Sequence, residues 1–116
     1  MKKLVTLAAM TTMSALAFAH AKLQSSTPAD GATVAVAPSE LRLAYNEPVE
    51  VAMSTIKVSG PGDAAVTLDK VTADSSDEKV LVQHLPKLSA GEYRVEWSTM
   101  GHDGHHRKGE LRFTVK

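Results

Sequence analysis

The chain has 116 residues, a formal net charge of zero and no cysteine. Without cysteine it can form neither a disulfide bond nor a blue-copper electron-transfer centre, which requires a cysteine sulfur among its ligands. The neutral balance argues against nucleic acid or an anionic membrane surface as a partner, because either would require a basic patch.

The first residues have the layout of a secretory signal peptide. A short basic start precedes an apolar run over residues 4–18, which ends in the small-residue pattern Ala-Phe-Ala. The run is short and contains threonine and serine, so no membrane insertion of the mature chain is expected. We predict a cleaved signal over residues 1–19 and one mature domain over residues 20–116, beginning at His20. Cleavage after Ala21 also fits the small-residue rule and would remove that histidine.

After this leader, apolar residues alternate with polar ones, as in β-strands with one buried face. The clearest runs are residues 41–45, 93–97 and 111–115. Shorter apolar runs predict further strands around Leu23 and at residues 49–53, 56–58, 66–68 and 80–82. Turn-forming clusters separate the runs, and no helix of three turns is expected. This spacing favours a two-sheet antiparallel sandwich or a small Greek-key barrel.

Four of the five histidines lie at two places, His20 and the segment Gly-His-Asp-Gly-His-His at residues 101–106. An N-terminal histidine can hold a metal ion with both its α-amine and its ring Nδ1. If the chain is extended at Asp103 and His105, these two side chains point to the same side. Three nitrogens and a carboxylate oxygen suit a tetragonal Cu(II) ion. The affinity should fall on acidification, because the ligands must lose their protons.

The remaining histidines have simpler interpretations. His102 and His106 have the opposite parity in an extended strand, so we expect them to face solvent. His84 is expected at the exposed end of a strand.

Several motifs occur together, in order, along nearly the whole mature chain. They are His-Ala-Lys-Leu at 20–23, Ser-Thr-Pro-Ala-Asp-Gly at 26–31, Leu-Ala-Tyr-Asn-Glu at 43–47, Leu-Ser-Ala-Gly-Glu-Tyr-Arg-Val-Glu-Trp at 88–97, Asp-Gly-His at 103–105, Gly109, and Phe-Thr-Val-Lys at 113–116. Their combination resembles the periplasmic copper-resistance protein C (CopC) family.

This resemblance implies an all-β fold, a seven-stranded Greek-key β-barrel or sandwich of cupredoxin-like or immunoglobulin-like style, and secretion to the periplasm. It also implies a Cu(II) site of the histidine-brace type, formed by the amine and ring of His20 and by His105, with Asp103 as the neighbouring carboxylate. Glu47 matches a position where some members place an acidic residue near the metal, and it could equally orient a ligating imidazole. A copper-transport partner in the inner membrane is implied too, and we expect a monomer.

The methionine content departs from the two-copper members of that family. Those members carry a methionine-rich segment that suits Cu(I), whereas Met53 and Met100 are the only methionines after residue 19 here. Because Cu(I) sites need soft ligands such as thioethers, we predict a protein that binds Cu(II) only. Met53 is expected to fill the core, and Trp97 to anchor it.

Three functions remain open on these residues. A copper carrier or sequestering protein, and not an enzyme, is favoured by His20, Asp103 and His105. A histidine brace also occurs in copper monooxygenases that cut polysaccharides, but those use a flat aromatic surface, and this chain has one tryptophan and two tyrosines. A partner-binding sandwich with incidental histidines is the third possibility, because folds of this type host many functions.

Overall fold

The computed structural model describes residues 22–116, which form two four-stranded β-sheets. The strands are β1 (Leu23–Thr27), β2 (Ala32–Val34), β3 (Glu40–Tyr45), β4 (Thr55–Ser59), β5 (Thr72–Asp74), β6 (Asp77–His84), β7 (Gly91–Met100) and β8 (His106–Val115). One sheet has the order β1-β3-β6-β5 and the other has the order β2-β8-β7-β4. No helix within these residues is long and apolar enough to cross a membrane.

Neighbouring strands run antiparallel with one exception, the parallel pair of β2 and β8. The exception arises because the chain changes sheets directly after β1. A turn carries it across, and in that turn Gly31 adopts a φ of +80° while its N–H donates to the Arg112 carbonyl over 2.7 Å. A positive φ is accessible to glycine at little steric cost.

The core lies between the sheets and follows from the alternation in the sequence. In β7 the buried residues are Tyr93, Val95, Trp97 and Thr99, and the residues between them face outwards. The same pattern buries Leu41, Leu43 and Tyr45 of β3 and Leu111, Phe113 and Val115 of β8. The predicted two-sheet β fold is therefore confirmed, with the long alternating runs as its central strands.

The short elements differ from the sequence predictions. The strand expected at 49–53 is wrong: Val49 forms an isolated bridge and Val51–Met53 form one 3-10 turn. The strand expected at 66–68 is irregular chain. The structure adds β2 and β5, each of three residues, which gives eight strands instead of seven. Three residues are too few to display a period-two pattern, so pairing with a longer strand decides these elements.

Met53 corrects a further expectation. It lies in the 3-10 turn with its side chain 51 % exposed, so it does not fill the core. Trp97, in contrast, is buried as expected and packs edge-on against Tyr45, with ring centroids 5.5 Å apart and an interplanar angle of 78°.

The Trp97 ring fits because residue 109, its partner on β8, is glycine. A Cβ atom at Gly109 would lie 2.2 Å from Cζ2 of the ring. We expect Gly109→Ala to lower the free energy of unfolding by about 1–3 kcal/mol, the usual cost of overpacking a core. Urea unfolding measures this, with Lys108→Ala, an exposed neighbour, as control. Equal stability of Gly109→Ala and wild type would contradict the packing described.

Candidate metal centre

Asp103 and His105 lie together in the loop between β7 and β8. Asp103 Oδ1 accepts a hydrogen bond from the His105 backbone N–H over 3.0 Å, and Asp103 Oδ2 lies 2.9 Å from His105 Nδ1. Both side chains are substantially exposed, at 38 % and 62 %. The carboxylate therefore contacts both the backbone and the ring of the histidine two residues later.

The loop brings these residues together in a different way from the expected extended strand. Residues 102–104 form a turn, in which the Gly104 N–H donates to the Gly101 carbonyl over 3.0 Å and Gly104 adopts a φ of +81°. The Gly101 N–H donates to the His105 carbonyl over 3.1 Å. Asp103 is held by its bond to the His105 N–H, since aspartate side chains readily bond to backbone two residues on.

The Asp103 contact selects one tautomer of the His105 ring. An ionised carboxylate can only accept, so Nδ1 donates to Asp103 Oδ2, and a neutral ring then carries its lone pair on Nε2. In metal sites a carboxylate commonly bonds to one ring nitrogen and thereby orients the other towards the ion. In this tautomer a metal ion would be bound through His105 Nε2, and Asp103 would be the orienting carboxylate.

Residues 46–50, which we name the bridging segment, connect this loop to the start of the described chain. At one end, the Asn46 N–H donates to the Lys22 carbonyl over 2.9 Å, and the Lys22 N–H donates to Asn46 Oδ1 over 2.6 Å. At the other end, Val49 pairs with Gly101, and the Glu50 N–H donates to the Met100 carbonyl over 2.8 Å. The start of the chain and the β7–β8 loop are thus attached to one short segment.

The other predicted site residues occupy different positions. Glu47 is half-buried in the bridging segment. Across residues 22–116, no three His, Asp or Glu side chains form a group that could hold a metal ion, so Glu47 does not complete such a group with Asp103 and His105. His20 lies outside the described residues, two positions before Lys22 in the sequence.

The other histidines of the described chain are exposed, as expected. His102 Nε2 lies 3.4 Å from Glu50 Oε1, a contact that the sequence did not indicate. His84, at the end of β6, has Nδ1 4.0 Å from Glu40 Oε2, and His106 opens β8 opposite Met100. The Glu50 contact joins the bridging segment to the loop by side chains as well as by backbone.

Tyr45, the last residue of β3, is not available to a metal. Its side chain is only 2 % exposed, and burial raises the pKa of the phenol above its usual range. Deprotonation in the core is unfavourable because the phenolate loses its hydration there. A tyrosine is protonated near neutral pH in any case, and the raised pKa keeps this phenol neutral at higher pH too, so it acts as a core residue.

The family model of the CopC domain matches residues 23–116. The chain belongs to the CopC family. Copper resistance protein C of Xanthomonas campestris pv. juglandis is 36 % identical over 118 residues, covering 97 % of this chain and 92 % of that relative. The crystal structure of PcoC, a methionine-rich copper resistance protein from Escherichia coli, has a TM-score of 0.77 and 34 % identity, covering 84 % of this chain and all of PcoC.

A second kind of relative contains the same domain within a longer protein. Copper transport protein CutJ of Bacillus subtilis is 31 % identical over 99 residues, which are 84 % of this chain and 18 % of CutJ. The CopC domain of this chain therefore has counterparts both as a protein of similar length and as a small part of a larger one.

Proposed function

We propose that this protein binds Cu(II) in the periplasm, as a carrier or sequestering protein of copper homeostasis, through a histidine brace formed by His20 and His105. The observation that carries the proposal is the bridging segment. It attaches the start of the described chain and the β7–β8 loop to one another at the ends of β3 and β7. Membership of a family whose members are named for copper resistance supports the same conclusion.

The reach of the chain is consistent with a brace. Lys22 is fixed to Asn46 at one end of the bridging segment, while Gly101 is fixed to Val49 three residues further on. In the sequence His20 precedes Lys22 by two residues, and two residues of extended chain span at most about 7 Å. In the mature protein its α-amine and ring would add two nitrogens to His105 Nε2.

The donor set favours Cu(II) as the cargo. Imidazole and amine nitrogens with a nearby carboxylate suit the tetragonal geometry of Cu(II), whereas Cu(I) prefers soft sulfur ligands. Residues 22–116 contain only two methionines, whereas PcoC is a methionine-rich protein. Asp103 would hold the His105 ring in the ligating tautomer. Glu47, beside Asn46, is a second carboxylate in the bridging segment.

A binding protein fits the surface better than a polysaccharide-oxidising enzyme does. The aromatic side chains of residues 22–116, namely Tyr45, Tyr93, Trp97 and Phe113, are each at most 9 % exposed. Enzymes of that type bind polysaccharides on exposed aromatic rings, and the described surface offers none. We infer a non-enzymatic binding protein, and the monomeric state stays a prediction.

A transport partner is proposed by analogy with one relative. CutJ, in which the matched region is a small part of the chain, is named a copper transport protein. By analogy, an inner-membrane copper-transport protein is the proposed partner of this chain, to which the mature domain would pass its cargo from the periplasmic side.

The test begins with secretion of the full chain and the intact mass of the product, which identifies the first residue. Titration with Cu(II), followed by electron paramagnetic resonance, should give one tight tetragonal centre with nitrogen couplings. A competition with a Cu(I) chelator should detect no tight Cu(I) binding. Absence of a nitrogen-rich Cu(II) centre in protein that begins at His20 would refute the proposal.

A further inference from the structure

Asn46 holds the beginning of the described chain from two sides. Its backbone N–H donates to the Lys22 carbonyl over 2.9 Å, and its side-chain Oδ1 accepts from the Lys22 N–H over 2.6 Å. We call this pair of hydrogen bonds the Asn46 clamp. It lies just beyond the last β1–β3 pair, Leu23 with Tyr45, where the backbone ladder between the two strands ends.

The side chain is needed at this point because the ladder is irregular. Leu23 pairs with Tyr45 but Ser25 pairs with Ala44, so the register shifts inside β1. Strand ends are prone to fray. Here the Asn46 N–H still donates to the Lys22 carbonyl, and the Asn46 amide oxygen accepts the Lys22 N–H.

The clamp is also attached firmly to the β7–β8 loop. Three residues after Asn46, Val49 pairs with Gly101, and then the Glu50 N–H donates to the Met100 carbonyl. Glu50 Oε1 additionally lies 3.4 Å from His102 Nε2. Asn46 therefore fixes Lys22 relative to the segment that carries Asp103 and His105.

We propose that Asn46 is a positioning residue for copper binding, whose amide oxygen fixes the backbone at Lys22, two residues after the proposed ligand His20. The proposal rests on the proposed function, because it assigns a role toward the same metal. Its physical basis is preorganisation: a chain end that is already fixed loses less conformational entropy when the metal binds. Loss of this single hydrogen bond costs about 1 kcal/mol, which is too little to unfold the domain.

The experiment compares mature proteins that begin at His20. Asn46→Ala removes the acceptor for the Lys22 N–H, and we expect its Cu(II) affinity to fall roughly tenfold, as for the loss of one hydrogen bond. Asn46→Asp keeps an oxygen acceptor in the same place and should retain the wild-type affinity or exceed it. Gln24→Ala, an exposed substitution in β1, is the control and should bind as wild type.

A second measurement is independent of copper. Amide hydrogen exchange in the metal-free protein should show a protected Lys22 N–H in wild type and Asn46→Asp, and about tenfold faster exchange in Asn46→Ala. The melting temperature of metal-free Asn46→Ala should fall by only about 4–8 °C, the shift for a loss of about 1 kcal/mol in a domain of this size, so the fold is retained. Together these results separate local positioning from a general loss of structure.

The outcomes distinguish this proposal from the proposed function. Equal Cu(II) affinities of wild type and Asn46→Ala would overturn the positioning role alone. An affinity of Asn46→Asp as low as that of Asn46→Ala would also overturn it, because the acceptor would then be irrelevant. Failure of the wild-type mature protein to bind Cu(II) would remove both proposals, whatever the exchange data.

Discussion

Replacing His105 with alanine is expected to lower the Cu(II) affinity of the mature protein by at least about 100-fold. Loss of an orienting partner already costs 10–100-fold in metal sites, and loss of the ligand itself should exceed that range. The fold should be unaffected, because the His105 side chain is 62 % exposed and lies in a loop. Isothermal titration with a competing chelator measures the affinity, and paramagnetic resonance should report fewer nitrogen couplings.

His102→Ala is the matched control for this experiment. His102 lies in the same loop, is 56 % exposed, and contacts Glu50 instead of Asp103. We expect it to bind Cu(II) within about threefold of wild type, the change anticipated when a neighbouring charge contact is lost. If His105→Ala bound as tightly as His102→Ala, His105 would not be a ligand.

Adding one alanine ahead of His20 in the mature protein is expected to weaken Cu(II) binding by a similar factor. The extension converts the α-amine into an amide, which cannot serve as the basic nitrogen of a chelate, and it leaves every described residue unchanged. Because the amine and ring of one residue bind as a unit, loss of one member also lowers the effective concentration of the other. Thermal unfolding with and without Cu(II) should show a smaller metal-induced rise in melting temperature.

Removal of the added residue provides the control. Trimming the extended protein with an aminopeptidase, confirmed by intact mass, should restore both the affinity and the resonance spectrum. An extended protein that bound Cu(II) as tightly as the trimmed one would exclude a brace and would leave His105 and Asp103 to act with other groups. Binding in both forms should weaken on acidification, since protons compete for the imidazoles.

The sequence predicted the central strands well and the peripheral ones poorly. The runs at 41–45, 93–97 and 111–115 lie within β3, β7 and β8, because each displays several alternations of buried and exposed residues. Val49 to Met53 also looked like a strand, yet its apolar residues occupy a single bridge and a 3-10 turn. Short apolar runs carry too little periodicity to separate these alternatives.

For the candidate site, the sequence identified the residues but not the way they are arranged. Asp103 and His105 were expected on one side of an extended strand, and they meet instead through an aspartate hydrogen bond within a turn. Glu50 and Asn46 were not recognised, because their roles depend on contacts with residues that are distant in sequence. The Leu-Ala-Tyr-Asn-Glu motif at 43–47 pointed to the family. It did not indicate that its asparagine would form hydrogen bonds with Lys22.

The sequence by itself determined the all-β class, the family and the chemical types of the proposed ligands, because alternation, motif order and the histidine positions are all local properties of the chain. Tertiary structure alone decided the parallel pairing of β2, the exposure of Met53, and the attachment of Lys22 and Gly101 to one bridging segment. These features depend on strand register and on long-range hydrogen bonds. Such bonds form only when the two sheets pack together and bring residues that are distant in sequence into contact. The physical reason is that a hydrogen bond to a residue 24 positions away leaves no periodic trace in the sequence.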